Sequence, residues 1–270
     1  MIPHLSTDRI GRFTASRFGV LMQQPRSKAE RDAGAFGATG TDYITAKAIE
    51  RVTGVAMDDS DAHSFSSRRG LLLEPAAMYL LSTEWYVCKP CTWQPYGTHL
   101  GSTPDALVNG GTEPMDLKCP ANACDVVRFG LEVVEDDFDT LLAWNAAYAW
   151  QIMVQAVTCG SERAHLVYFT DRLPIIKITD STREIVQGLT DDAGARYSDM
   201  YGYPWQYQFA SDGFFFVARS FALTDEIRAQ ILSTLDRAAL QCTAMERGVR
   251  GLLFPVSIND AHAHLITNPE

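Results

Sequence analysis

No stretch of this chain approaches the ~18 consecutive apolar residues that a membrane-spanning helix needs. The opening residues, Met1-Ile2-Pro3-His4-Leu5-Ser6-Thr7-Asp8, lack the apolar core of a secretory signal, so a cytoplasmic protein with no membrane partner is expected. There is no internal repeat, no long low-complexity tract and no Pro/Gly/Ser linker to divide the chain. Neither a nucleophile elbow nor a helix-start cysteine is present, which leaves a Cys–His hydrolase without support. The six cysteines, at 88, 91, 119, 124, 159 and 242, do not form a disulfide framework in a chain of 270 residues. They read as reduced thiols, mostly packed as small apolar residues.

Positive charge is also in deficit. With 33 acidic against 23 basic residues the net charge is -10, which argues against passive binding of nucleic acid over a wide surface. The distribution is uneven, however. From Met1 to Ala35 six basic residues (Arg9, Arg12, Arg17, Arg26, Lys28, Arg31) face three acidic ones. From Asp125 to Asp139 the balance reverses, with Arg128 alone against Asp125, Glu132, Glu135, Asp136, Asp137 and Asp139. A local positive channel therefore remains open.

What is present is ordinary globular composition, 46% hydrophobic and 21% charged, at a length that fits one large domain. Gly34 to Gly40 reads as a surface loop. Thr14 or Ser16 can cap a short helix reaching about Met22, and Thr41 a second, with Ile44, Ala48, Ile49 and Val52 on one face and a stop near Gly54. A third helix is expected over 67–83, interrupted at Pro75. From Tyr86 short β-prone runs alternate with turns: 86–88, 99–101, 106–108 and 115–118, with Asn109-Gly110-Gly111 a strong turn signal. A long helix over about 140–157, strands at 164–169 and 175–178, and helices near 181–200 and 224–246 complete the pattern. Strands in the middle with helices on both sides give an α/β or α+β layered fold.

The sharpest chemical feature is Ser102-Thr103-Pro104-Asp105 followed, after ten intervening residues, by Asp116-Leu117-Lys118. Two carboxylates on adjacent strands can converge on one side of a sheet, and residues two apart share a face, so Asp116 and Lys118 point together. Mg²⁺ takes hard oxygen ligands and keeps several waters, so two carboxylates and a backbone carbonyl suffice. A lysine beside such an ion can position or deprotonate the attacking water, its pKa falling near the cation. The bland alternative, a solvated edge strand, is weakened by Pro104 before Asp105, by apolar Leu117 and by the abrupt Cys119-Pro120 ending. Zinc is a competing reading, because Cys88-Lys89-Pro90-Cys91 has ligand spacing. The partner pair Cys119…Cys124 begins at the end of the candidate catalytic strand, where a closed site would crowd it. The clustered C-terminal thiols of an iron–sulfur nuclease are absent. His262 and His264 are read as a polar tail.

Pro104-Asp105…Asp116-Leu117-Lys118 resembles the PD-(D/E)xK signature of restriction-endonuclease-like nucleases. Its surroundings resemble the YqaJ-type viral recombinases, the phage lambda exonuclease family. Arg9-Ile10-Gly11-Arg12-Phe13-Thr14-Ala15-Ser16 is similar to that family's N-terminal element. Gly70-Leu71-Leu72-Leu73-Glu74-Pro75, Cys119-Pro120 and Tyr148-Ala149-Trp150-Gln151 are similar to three further segments. The matches run from about Arg9 to Phe169, and the last hundred residues carry none. Asp116 stands where lambda-type members usually have Glu, a shorter reach to the same ion.

The resemblance implies a restriction-endonuclease-like core, a central mixed sheet flanked by helices over about residues 60–180. N-terminal helices (1–59) would line a DNA channel and residues 181–270 would form a helical C-terminal part of one domain. It implies Asp105, Asp116 and the backbone carbonyl of Leu117 as ligands of Mg²⁺, with Mn²⁺ able to substitute. Glu74 would complete the site as a ligand of a second ion or through bound water, Lys118 would orient or activate the water, and Gln151 would hydrogen-bond the scissile phosphate or the water. Arg9 would grip a 5′-terminal phosphate, with Ser16 supporting it. The implied activity is 5′→3′ exonuclease action on double-stranded DNA ends. The implied assembly is a homotrimer working beside a single-strand annealing protein. An endonuclease or junction resolvase of the same fold, and a non-catalytic DNA-binding protein, are the alternatives.

Overall fold

The computed structural model describes residues 7–57, 65–84 and 89–253. The chain enters through strand β1 (Phe13–Thr14) and helices α1 (Ala15–Phe18), α2 (Lys28–Asp32) and α3 (Ala38–Thr53). Helix α4 (Phe65–Glu84) leads to strands β2 (Lys89–Pro90), β3 (Gln94–Tyr96), β4 (Leu100–Ser102), β5 (Ala106–Val108) and β6 (Glu113–Lys118). Helices α5 (Ala123–Glu132), α6 (Phe138–Trp144) and α7 (Ala146–Cys159) then cross to strand β7 (Arg163–Thr170). Strand β8 (Ile176–Lys177), helix α8 (Asp180–Tyr201), strand β9 (Gly213–Ala222) and helix α9 (Asp225–Leu253) follow.

The main sheet has the order β2-β5-β6-β7-β9-β8. Only β6 and β7 run parallel in it, as the long helical crossover between them requires; every other pair is antiparallel. A small second sheet, β1-β4-β3, lays β1 parallel to β4. This is the expected restriction-endonuclease-like α/β core, a mixed sheet flanked by helices. Among the described residues no helix is long and apolar enough to cross a membrane.

The sheet separates two apolar cores, and strand alternation decides which residue enters which. Ala164, Leu166 and Tyr168 of β7 join the core built with α1, α3, α5, α7 and α9. Val167 and Phe169 join the opposite core with α4 and α8. On β6, Met115 and Leu117 belong to that second core. Asp116 and Lys118 consequently face α7. The same alternation runs through β9, with Phe215 and Val217 against the first core and Phe214 and Phe216 in the second.

Several elements differ from expectation. The helix expected over 140–157 is two: Asn145 breaks it at φ -158 and ψ 98 and caps α7 by accepting the Tyr148 N–H. Helix α3 begins at Ala38 with Gly37 as its cap, so the end of the expected loop is helical and Thr41 lies inside. Helix α1 is one turn long, and Thr14 makes no side-chain cap. Helix α4 runs as one element through Pro75 and begins two residues before the expected 67. Helix α5 and the ten-residue strand β9 were not foreseen, and β9 corrects the reading of residues 181–270 as helical. The strand expected at 86–88, with Cys88, and the pair His262 and His264 lie outside the described residues.

Candidate active site

The site is built where β5 stops short. Its register with β6 ends at Ala106↔Met115, so the next β6 residue facing that edge, Leu117, has no strand partner there. Asp105 fills the gap: its own N–H donates to the Met115 carbonyl at 3.1 Å, and its Oδ2 accepts the Leu117 N–H at 2.7 Å. A strand residue turns its N–H and C=O to the same edge, so the Leu117 carbonyl faces the side from which Asp105 approaches.

Across the sheet face, Asp116 is buried and lies under α7. Its Oδ1 accepts the Gln151 amide at 2.6 Å and the Gln155 amide at 3.0 Å. Its Oδ2 stands 2.5 Å from the Lys118 ammonium but makes no aligned hydrogen bond. Lys118 reaches the Gln151 Oε1 at 3.5 Å and lies 4.5 Å from the Tyr148 ring centroid, a cation–π contact. Tyr148, Gln151 and Gln155 occupy one face of α7 because they are spaced three and four apart. The Asn145 cap fixes where that face begins.

The cavity over these groups has a volume of about 1310 Å³ and is lined by Ser16, Glu74, Asp105, Asp116, Leu117, Lys118 and Gln151, among others. The structure thus brings together seven of the eight residues singled out in the sequence. Arg9 does not line the cavity; its guanidinium stands 5.2 Å from the Trp93 ring centroid. Ser16 reaches the rim because its segment is tied down on both sides. The Gly11 N–H donates to Glu50 at 2.7 Å, the Thr14 N–H donates to the Tyr43 hydroxyl at 2.8 Å, and β1 pairs with β4. Gly11 has φ +72, and a Cβ there would meet the Arg51 side chain at 2.2 Å, so only glycine fits.

The carboxylates repel one another. Burial, then Asp116 and Glu74, hold Asp105 well above the ordinary carboxylate range. Burial, then Asp116, raise Glu74 as well. Burial by itself would lower Lys118, but Asp116 and Asp105 beside it outweigh that and raise it. A site with acids pushed upward and an orphaned carboxylate oxygen is short of positive charge.

Among the described residues no three His, Cys, Asp or Glu side chains form a ready-made metal cage. The donors available are carboxylate and carbonyl oxygens, which suit a hard cation that keeps several waters. Cys91, Cys119, Cys124, Cys159 and Cys242 are free thiols. Cys119 is buried against Arg69 and its thiol is raised by that burial, which makes it a packing residue rather than a thiolate ligand.

Sequence reasoning missed three residues. Gln155 was signalled by its i+4 spacing from Gln151 on an otherwise apolar helix. Tyr148 lay inside a quoted segment without a role. Arg69, on α4, donates to the Cys119 and Pro120 carbonyls at 2.9 and 2.6 Å, pinning the end of the strand that carries Lys118.

No family model matches the chain, and no curated protein matches it in sequence. Solved structures do. An alkaline exonuclease (LHK-Exo) from Laribacter hongkongensis is similar over 90% of this chain and 93% of its own, at 18% identity and TM-score 0.57. The same enzyme in complex with dAMP gives 18% identity over 90% and 94%, with TM-score 0.58. A phage-related exonuclease from Haemophilus somnus 129PT gives 15% identity over 89% and 96%, with TM-score 0.53. The chain has the fold of these exonucleases, which agrees with the family resemblance carried by its motifs.

Proposed function

We propose that this chain is a Mg²⁺-dependent exonuclease that digests one strand of duplex DNA from its 5′ end, releases mononucleotides and leaves a 3′ single strand. The observation that carries this reading is the convergence of Asp105, Asp116, Lys118, Glu74 and Gln151 on one cavity. The fold shared with solved exonucleases supports it, as does the mononucleotide in the complex of one of them.

In this reading Asp105, Asp116 and the Leu117 carbonyl hold one Mg²⁺, and Glu74 serves a second; Mn²⁺ can substitute. When bound, such ions supply charge stabilisation to the attacking and leaving oxygens of phosphodiester hydrolysis. The protein's own groups do the positioning. Lys118, beside Asp116, orients or activates the attacking water. Gln151, bridging Asp116 and Lys118, keeps both in register. Ser16 donates its hydroxyl to phosphate from the cavity rim, and Arg9 takes the 5′-terminal phosphate from its place over Trp93. The N-terminal helices α1 to α3 line the DNA path.

A ring of three copies would account for processive digestion, since DNA threaded through a closed hole cannot diffuse away between cuts. The exposed 3′ strand would pass to a single-strand annealing protein in the cytoplasm during recombination. Linear duplex labelled at each end, digested with and without Mg²⁺, tests the reading. Progressive release of mononucleotides from the 5′ label, only with Mg²⁺, is expected. Internal fragments would make the chain an endonuclease or junction resolvase, and binding without hydrolysis a non-catalytic DNA-binding protein.

A further inference from the structure

The buried face of α7 carries a side chain whose polarity the packing does not require. Gln155 is 1% exposed, and its neighbours Ile152, Met153, Val154, Ala156 and Val157 are apolar and buried. Its amide N–H donates to Asp116 Oδ1 at 3.0 Å, while its Oε1 has no hydrogen-bond partner. An unpaired buried amide oxygen is unfavourable. A leucine or methionine would fill similar space without leaving one. What Gln155 provides is therefore its N–H, and the amide can face only this way, since its oxygen would repel the carboxylate.

Gln151 donates to the same oxygen at 2.6 Å. A carboxylate oxygen has two in-plane lone pairs, and the two amides occupy both on Oδ1. Oδ2 is different: it faces only the Lys118 ammonium, at the end of a flexible stem that can move aside. The Gln155 amide, enclosed among buried apolar side chains, cannot. Asp116 is thus presented to any cation as a one-oxygen ligand.

We infer that Gln155 is a specificity-determining residue that sets cation preference by forcing Asp116 to bind through Oδ2 alone. The inference rests on the metal-site reading above. One-oxygen ligation suits a small octahedral ion such as Mg²⁺, whereas Ca²⁺ accepts six to eight oxygens and uses two-oxygen carboxylates readily. Freeing Oδ1 should relax that discrimination.

Calorimetric titration of the full chain without DNA, using Mg²⁺, Mn²⁺ and Ca²⁺ separately, tests this independently of hydrolysis. Gln155→Leu and Gln155→Met both remove the N–H, and thermal melting identifies which variant is folded. In the folded variants Mg²⁺ affinity is expected to fall about 10–100-fold, the usual consequence of deleting a group that orients a metal ligand, while Ca²⁺ affinity holds, so that the ratio of the two falls. A folded variant with the wild-type ratio overturns the inference. A wild-type chain that binds none of the three cations overturns the metal-site reading beneath it, a distinct result.

Discussion

The Arg69 guanidinium and the Asp171 carboxylate meet at 2.7 Å with side-chain exposures of 1% and 0%, so water reaches neither. The pair joins three parts of the fold. Asp171, just beyond β7, also accepts the Tyr207 hydroxyl at 3.0 and 2.8 Å and the Ala210 N–H at 2.7 Å. Arg69 holds the Cys119 and Pro120 carbonyls after β6, five residues before Glu74 on the same helix. Removing one partner strands a buried charge. Asp171→Ala should cost about 3–5 kcal/mol of stability, read from the urea midpoint at unchanged slope. A loss within the ±0.5 kcal/mol of ordinary surface substitutions would mean that the pair is dispensable.

Lys118→Ala makes a sharper test of the site than of the fold, because the side chain is partly exposed and faces the cavity. Hydrolysis of end-labelled duplex should fall by about 10²–10⁴-fold, the range for a group that handles a reacting proton or water. Binding of duplex ends should persist. Cation binding should tighten, since the Asp116 Oδ2 loses its competing ammonium. Weakened cation binding in this variant would show that Lys118 supports the ligand rather than competing for it.

Much of this arrangement was readable in the sequence, for a simple reason. Strand periodicity places Asp116 and Lys118 on one face and Leu117 on the other without any tertiary information, and the Asn109-Gly110-Gly111 turn brings Asp105 back alongside. What could not be read depends on partners distant in sequence. Phe214-Phe215-Phe216-Val217 shows no apolar/polar alternation, because both faces of β9 are covered by different cores, so its period carries no signal. The Gln155 contact needs α7 docked on β6, and a glutamine on a helix ordinarily faces solvent. Asn145 was legible in principle as a cap, but apolar residues on both sides of it disguised two helices as one.

Arg9 is where the sequence expectation and the cavity part company. Trp93, on which Arg9 rests, is itself fixed: a Cβ at Gly101 would fall 2.2 Å from its ring, so glycine there lets the indole lie flat on β4. If Arg9 receives a 5′-terminal phosphate from this perch, Arg9→Ala should reduce the preference for 5′-phosphorylated over 5′-hydroxyl duplex ends towards unity, with Mg²⁺ affinity unchanged. Competition between the two substrates measures that preference directly. An unchanged ratio would remove Arg9 from phosphate binding and leave it as a packing residue over Trp93.

The raised carboxylates give pH dependences of opposite sign with and without cation. Asp105 and Glu74 are both pushed upward, mainly by burial and then by neighbouring carboxylates. A carboxyl whose folded pKa exceeds its unfolded value of about 4 binds more protons folded than unfolded between those two values. Its ionisation therefore opposes folding, and that strain is relieved as pH falls through the raised pKa. Cation-free protein should accordingly gain melting temperature from these two groups on mild acidification. Lys118 adds no slope there, since a raised ammonium loses its contribution only as pH climbs through its own folded value. A divalent cation must displace the same protons, so the stabilisation produced by Mn²⁺ should shrink over the same window. Thermal melts with and without Mn²⁺, from about pH 8 down to about pH 5, should converge on acidification. Parallel curves would mean that Asp105 and Glu74 are not cation ligands.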